Sequence, residues 1–386
     1  MLNSHYFLAR DPIERQEFKR VHDKLTSAID KGLLRSLPLI SFVMLKPDAY
    51  LRGLIPPIMG WLAERHIYPF AYRLVTLSDA DIDNLYMFVK PKYRHTWWAM
   101  KKACSLAPCL PTLVIGTGQG YENLSLRIRD LVGPPTPSIG HESQIRYRFK
   151  ATHRLLNLIH AADDPAAAAR EAMIFFDIGA IAECLVTASY LPKSGRSKSG
   201  SVKLDFEALV PAKIVDLGFN TAKYNVKISI LNAMRNECQT IRGIDKHVER
   251  LSTSLDEERE FLLRQFELRD ENAALRKVGE SQKTIVRVIR KEMSVLIRKS
   301  ARNGYDRPET CHFLCSAVRT MEATDIWEIL TCDTKFRTCD LGAMIAQLVR
   351  WGISLDKYDE VVLYTGWAVA SDELRDTKLW ERHQCL

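Results

Sequence analysis

Between residues 39 and 174, apolar runs of strand length alternate with amphipathic stretches of helix length, which restricts this segment to a sheet covered by helices. Leu39-Ile-Ser-Phe-Val-Met-Leu45 is too short and too apolar for a surface helix, and Lys46-Pro47-Asp48 stops it with a proline and a turn former. Residues 55–65 read as a short helix after Pro56-Pro57, 68–77 alternates as a strand, and 79–89 opens on acidic residues that suit a helix N-terminus. Thr112 to Gly116 reads as another strand. Asn123 to Val132 reads as a helix with Leu124, Ile128 and Leu131 on one side. After a proline-rich loop over 133–150, Asp163-Asp164-Pro165 starts an alanine-rich helix that runs to about Ile174. Ahead of all this, Phe18, Val21, Leu25, Ile29 and Leu33 form the apolar stripe of a helix within 10–36.

The pattern changes at Pro192-Lys-Ser-Gly-Arg-Ser-Lys-Ser-Gly-Ser201, whose small polar composition predicts a flexible linker. The division predicted is an N-terminal helical extension over 1–38, an α+β domain over 39–190, a linker over 191–203 and an all-α helical domain over 204–386. In the last part, Ile244, Val248, Leu251 and Leu255 follow helical spacing, but the polar run 256–260 and Gly279 interrupt it, so a bundle fits better than a coiled coil. With 386 residues there is room for both domains.

Composition narrows the function. The apolar share of 46% and the charged share of 26% exclude disordered and collagen-like classes. No apolar run reaches the length of a membrane span, and the N-terminal residues are charged almost from the start, so a cytoplasmic protein with no membrane partner is predicted. Nine scattered cysteines agree with reduced thiols. Net charge is +8, yet residues 201–386 hold 29 basic and 29 acidic side chains; without a basic excess there, nucleic acid is an improbable partner. Small anionic ligands suit the modest positive balance of the N-terminal part.

A lysine after a strand, arginines on a helix end and a long loop, and His160 just before an acid-capped helix together fit a polyphosphate ligand. Arginine and lysine neutralise phosphate oxygens, and a neutral imidazole is a competent nucleophile toward phosphorus. Taken singly, Lys46 reads as a solvated strand end and Arg129 as a helix-surface charge. Gly116-Thr-Gly-Gln-Gly120 lacks dinucleotide-motif spacing and reads as a turn. Cys311, His312, Cys315, Cys332 and Cys339 include no C-x-x-C pair, and buried structural thiols are the better reading than zinc. Arg287, Arg290, Lys291, Arg298 and Lys299 read as a solvated helix face beside Glu280 and Glu292.

Phe42-Val-Met-Leu-Lys-Pro-Asp-Ala-Tyr-Leu-Arg-Gly-Leu54, followed by Asn157-Leu-Ile-His160-Ala-Ala-Asp163 and Arg170-Glu171, resembles a nucleoside diphosphate kinase domain over about 39–178. The resemblance implies a ferredoxin-like βαββαβ core. It also implies transfer of the γ-phosphoryl group of a nucleoside triphosphate through a histidine to a nucleoside diphosphate, with Mg²⁺ on the phosphates and none held in a protein cage. Carried over, His160 would be the nucleophile and Glu171 the carboxylate on its other nitrogen. Lys46, Arg129 and Arg146 would bind phosphates, Tyr86 would sit beside Lys46 and His160, and Asn157 would reach the sugar and phosphate end. Thr136 would bind phosphate if the backbone shifts by one residue. Homo-oligomers are implied as well, and a protein partner for 204–386 is the accompanying expectation.

Several positions depart from the family pattern. Gly133-Pro134-Pro135-Thr136 replaces Gly-x-Thr, Glu142-Ser143-Gln144 precedes Ile145-Arg146, and Ala162 replaces a serine that helps hold the glutamate. The base-stacking aromatic is open among Tyr93, His95, Trp97 and Trp98. These departures predict a slower or more specialised enzyme. The rival readings are a nucleotide-binding regulatory module without turnover and a scaffold that assembles partners through its helical half.

Overall fold

A computed structural model describes residues 5–8, 11–191, 205–238, 241, 243–264, 271–302 and 308–376. The linker expected at 191–203 lies, apart from Leu191, outside the described residues. The chain divides into two compact units, 1–216 and 217–386.

Unit one is built on a four-stranded antiparallel sheet in the order β2-β3-β1-β4, with β1 at Ile40–Leu45, β2 at Ile67–Tyr72, β3 at Leu110–Gly116 and β4 at Ile159–Ala161. Since β3 lies between β1 and β2 and is antiparallel to both, β1 and β2 run parallel one strand apart. This is the split β-α-β arrangement of the ferredoxin-like α+β fold. β1 and β3 are buried along their whole length, which explains why they read as unbroken apolar runs. The strand expected at 68–77 ends at Tyr72. A register shift between Pro69 and Ala71 disturbs its pairing, and only an isolated bridge from Val75 to Cys109 continues it.

Helices α1 (Pro12–Ala28), α2 (Pro47–Leu51), α3 (Ile55–Ala63), α4 (Asp79–Leu85), α5 (Trp97–Cys104), α6 (Leu124–Val132), α7 (Ile145–Arg148), α8 (Pro165–Phe175) and α9 (Ile178–Ser189) surround the sheet. Val43, Leu45, Leu110 and Val114 pack with Ile55, Ile58 and Leu62 of α3 and Leu124 and Ile128 of α6. On the opposite face, Phe42, Met44, Leu113 and Ile115 meet Phe18, Val21 and Leu25 of α1, Phe175 of α8 and Leu185 of α9. The N-terminal extension is therefore a structural layer of this unit. Its helix ends at Ala28, earlier than the stripe to Leu33 suggests, and a 3-10 stretch over Leu33–Leu39 carries the chain into β1, burying Leu34 and Leu37. Residues 205–216, expected with the helical domain, also belong here: Phe206 and Leu209 pack beside Tyr72, and the Val215 amide donates to the Leu51 carbonyl.

Unit two consists of α10 (Phe219–Cys238), α11 (Asp245–Arg264), α12 (Glu271–Arg302), α13 (Pro308–Thr331), α14 (Asp333–Thr338), α15 (Leu341–Arg350) and α16 (Lys357–Asp376). Val226, Val248, Leu251, Leu255, Ile289, Met293 and Trp327 are buried in it. A buried polar set crosses this core: Lys227 donates to Glu258, Gln282 donates to Glu258 at 2.8 Å, and the Trp327 indole donates to Gln282 at 3.2 Å. It ties one residue from each of α10 to α13 into one register. The basic face of α12 is engaged by acids: Arg290 pairs with Asp325 and Glu328, and Arg287 approaches Glu328 at 4.0 Å.

The cysteines correct the expectation of buried structural thiols. Cys311 and Cys315 are exposed, one turn apart on α13, while Cys332 and Cys339 are half-buried. Among the described residues no group of three or more metal-ligating side chains gathers, and no helix is long and apolar enough to cross a membrane.

The start of α8 offers a local test of these rules. Asp164 accepts hydrogen bonds from the Ala166 and Ala167 amides, each at 2.9 Å, and Pro165 occupies the first turn. Asp164→Ala is expected to lower unfolding stability by about 1 kcal/mol, read as a decrease in the urea midpoint at unchanged slope.

Candidate active site

The site forms where β1 ends. Lys46 begins the turn into α2, and its backbone amide donates to the Leu158 carbonyl at 2.8 Å, which brings the Asn157–His160 segment alongside. Asp48, on the first turn of α2, is fully buried and accepts from the Leu158 amide at 2.8 Å. Burial pushes the Asp48 carboxyl up, opposed by nearby Lys46. Leu158 sits between these two grips with φ at +69°, a left-handed conformation that costs a leucine about 1–2 kcal/mol. The grips hold it there, and the kink leaves Asn157 and His160 facing one cleft of about 450 Å³.

His160 lies on β4 opposite Met44 of β1. Its Nε2 is 2.7 Å from Oε2 of Glu171 on α8. A carboxylate only accepts, so Nε2 carries the proton and Nδ1 keeps its lone pair. The Tyr86 ring meets the His160 ring edge-on at 5.1 Å between centroids. Tyr86 follows the last residue of α4 rather than lying within a helix to 89, and burial raises its phenol well above the usual range, so it remains a donor. Arg170 fixes the other side of Glu171: its guanidinium donates to the Asn84 and Leu85 carbonyls at 3.0 and 2.9 Å and approaches Glu171 Oε1 at 3.5 Å. That contact supports the glutamate where Ala162 supplies no hydroxyl.

The cations converge on the same cleft. The Lys46 ammonium donates to the Leu155 carbonyl and, at 2.9 Å, to Asn157 Oδ1. Arg146, on α7, donates to the Gly133 carbonyl at 2.7 Å and the Ile159 carbonyl at 2.8 Å, while its buried Nε has no hydrogen-bond partner among the described residues. Burial lowers its guanidinium to about 10, still charged at neutral pH. Gly133 must be glycine: with φ at +83°, a Cβ there would lie 2.9 Å from Gln144. Arg129, near the C-terminal end of α6, pairs with Asp163 across the half-exposed rim. Among the expected site residues, then, His160, Glu171, Lys46, Tyr86, Arg129, Arg146 and Asn157 line one cleft.

Thr136 does not. It is exposed, outside the lining, and Pro135 takes the wall instead, with its carbonyl 3.4 Å from the Asn157 amide nitrogen. Prolines on both sides of Thr136 fix the local backbone and turn the threonine outward. Tyr93 and Trp97 line the cleft, whereas His95 and Trp98 do not.

Sequence reasoning passed over Glu14 and Phe18 of α1, Arg154 and Asp163, all of which line the cleft. Spacing gives no signal for α1, because it comes from a distant layer. It also passed over His153, whose Nδ1 accepts from the Leu155 and Leu156 amides at 3.3 Å each.

The family model described as nucleoside diphosphate kinase matches residues 40–181. A nucleoside diphosphate kinase of Methanothermobacter thermautotrophicus is 32% identical over 139 residues, covering 36% of this chain and 86% of that protein. The chain belongs to the nucleoside diphosphate kinase family. A second nucleoside diphosphate kinase, from Methanocorpusculum labreanum, is 30% identical over 138 residues, with 35% of this chain and 86% of the relative covered. A crystal structure of the Aquifex aeolicus nucleoside diphosphate kinase is 21% identical, covering 36% of this chain and 95% of that one, with a TM-score of 0.32. The family match leaves α1, most of α9 and the whole helical unit outside it.

His153 supplies a pH test. Burial, with Lys46 and Arg154 nearby, depresses its imidazole to about 3 from an ordinary 6.5. A base whose folded value is depressed stabilises the fold above its unfolded value, and that contribution is lost as pH falls toward the folded value. Thermal stability is expected to decline between pH 6.5 and 4, and to decline less steeply in His153→Asn, whose amide oxygen can still accept the two backbone bonds. Melting curves across that range check it.

Proposed function

We propose that the first unit is a phosphotransferase that moves the γ-phosphoryl group of a nucleoside triphosphate through His160 to a nucleoside diphosphate. The observation that carries this reading is the 2.7 Å contact of His160 Nε2 with Glu171, which leaves Nδ1 open to a cleft lined by Lys46, Arg129 and Arg146. In the first half-reaction, the Nδ1 lone pair attacks the γ-phosphorus, an N–P bond forms, and the bond to the β-γ bridging oxygen breaks, releasing the diphosphate. The second half-reaction returns the group to a terminal oxygen of the acceptor diphosphate and restores the free imidazole.

The transition state spreads charge over the transferring oxygens, and fixed cations stabilise it without reorganising. Lys46 and Arg146 meet that condition because protein carbonyls and Asn157 already hold them. Glu171 both orients the ring and stabilises the positive charge that develops on it. The donor set also suits Mg²⁺ carried on the nucleotide: Glu171 is engaged by His160 and Asp163 by Arg129, so phosphate oxygens and water would be its main ligands. When bound, it would neutralise charge between the β- and γ-phosphates.

Incubation with γ-labelled ATP is expected to leave acid-labile label on the protein, lost in His160→Ala. Label absent from the wild type would instead support a binding module without turnover. Arg146→Ala is expected to reduce turnover roughly 10²-fold or more while preserving the fold, measured by NTP formation from added NDP and by far-ultraviolet circular dichroism.

A further inference from the structure

Two side chains bear on the His160 ring: Glu171, 2.7 Å from Nε2, and Tyr86, edge-on at 5.1 Å between centroids. They come from different elements. Glu171 stands on α8, whereas Tyr86 caps the C-terminal end of α4. One guanidinium is bonded to both elements. Arg170 donates from one terminal nitrogen to the Asn84 carbonyl at 3.0 Å and from the other to the Leu85 carbonyl at 2.9 Å, and this second nitrogen also lies 3.5 Å from Glu171 Oε1.

The geometry of each contact has a consequence. Consecutive helical residues project about 100° apart, so Arg170 leaves α8 in a different direction from Glu171 and can span to α4. Carbonyls at a helix C-terminus carry partial negative charge and suit a cation, and Asn84 and Leu85 directly precede Tyr86. The terminal torsion of a glutamate is broad when nothing holds it. Here Oε2 is on His160 and Oε1 on Arg170, so the carboxylate cannot turn without losing one of the two. Arg170 and Glu171 are both almost wholly buried. The flat guanidinium lies 5.4 Å from the Phe88 ring centroid, and Phe88 stacks at 5.7 Å on Phe18 of α1, outside the family match.

Resting on the phosphotransferase reading, we propose that Arg170 is a positioning residue for the transfer: it fixes Glu171 and Tyr86 together against His160, and so sets how often Nδ1 points its lone pair at phosphorus. This role differs from capping α4. A cap alone contributes stability, whereas a positioning residue governs the rate and the protonation pattern of the imidazole in protein that is already folded.

Arg170→Met, which keeps an apolar stem of similar reach but no donor, tests this in the full chain. The first-order rate at which γ-labelled ATP labels His160 is expected to fall at least ~10-fold, the size of one charge-assisted hydrogen bond. ADP affinity, measured by calorimetry, is expected to stay close to that of the wild type. With histidine nitrogens labelled, nuclear magnetic resonance should show Nε2–H and a bare Nδ1 for His160 in the wild type, assigned by their loss in His160→Ala, and a mixture of both tautomers in Arg170→Met. Arg170→Lys keeps the charge without the planar fork and should fall between the two in rate; it decides the matter if the methionine variant does not fold. A wild-type labelling rate in the folded methionine variant or in the lysine variant overturns the proposal, as does an unmixed tautomer in folded Arg170→Met. A drop in ADP affinity that matches the drop in rate would make Arg170 a nucleotide contact and overturns it too. If the wild type takes no label, the phosphotransferase reading falls, while the tautomer measurement still judges whether Arg170 orients the ring.

Discussion

Everything in the first unit's site depends on how the end of β1 grips the Leu155–His160 segment. Lys46 does so twice, through its backbone amide to Leu158 and its ammonium to Leu155 and Asn157, and Asp48 closes the arrangement by taking the Leu158 amide. One lysine thus clamps the segment through both its backbone amide and its ammonium. The buried carboxylate of Asp48 is costly, and its Oδ1 finds no protein partner. The cost is balanced locally by Lys46 and by the Leu158 amide, a pairing that also holds Leu158 in its left-handed conformation.

The same economy governs the arginines. Arg146 is placed by the backbone carbonyls of Gly133 and Ile159, and Arg170 by those of Asn84 and Leu85 together with the Glu171 carboxylate. A carboxylate partner would neutralise the Arg146 guanidinium, whereas a carbonyl orients it and leaves its charge in place. Burial depresses Arg146 to about 10, with Tyr86 and Asp48 opposing the shift. Arg129 follows the opposite design. It lies at the rim and is matched with Asp163, so its charge is already compensated.

How much of this could be read from the sequence depended on distance along the chain. β1 and β3 were legible because burial on both faces leaves apolar runs, and α6 and α8 because their caps, Asn123 and Asp164, stand where rules for helix starts put them. The motif around His160 was legible because Asn157 and Glu171 stand at short fixed offsets from it, three residues before and eleven after. Helix α9 was not: it is apolar on most of its circumference against β1, β3 and the 3-10 turn, so Ile178–Ser189 gives a weak helical period. Helix α5, at Trp97–Cys104, was obscured by the aromatic cluster before it. Thr136 was misplaced because a one-residue loop shift is invisible to spacing, and Pro135 and Pro137 decide its direction. Glu14 and Arg154 reach the lining of the cleft only through tertiary packing.

The N-terminal extension shows how an added helix supports a small fold. A four-stranded sheet with crossover helices on one face leaves the other face to be covered, and here α1 and α9 share that task with α8. Because α8 carries Glu171, the residues that cover the sheet also support the carboxylate that orients His160. Phe18 contributes directly, stacking on Phe88, over whose ring the Arg170 guanidinium sits at 5.4 Å. A chain of contacts therefore runs from α1 through Phe88 and Arg170 to Glu171 and His160. Added core structure of this kind constrains the His160 ring by packing, where a hydroxyl at position 162 would have done so by a hydrogen bond. Rigidity supplied by burial does not require the hydroxyl, which is the physical sense in which Ala162 is compatible with an oriented histidine.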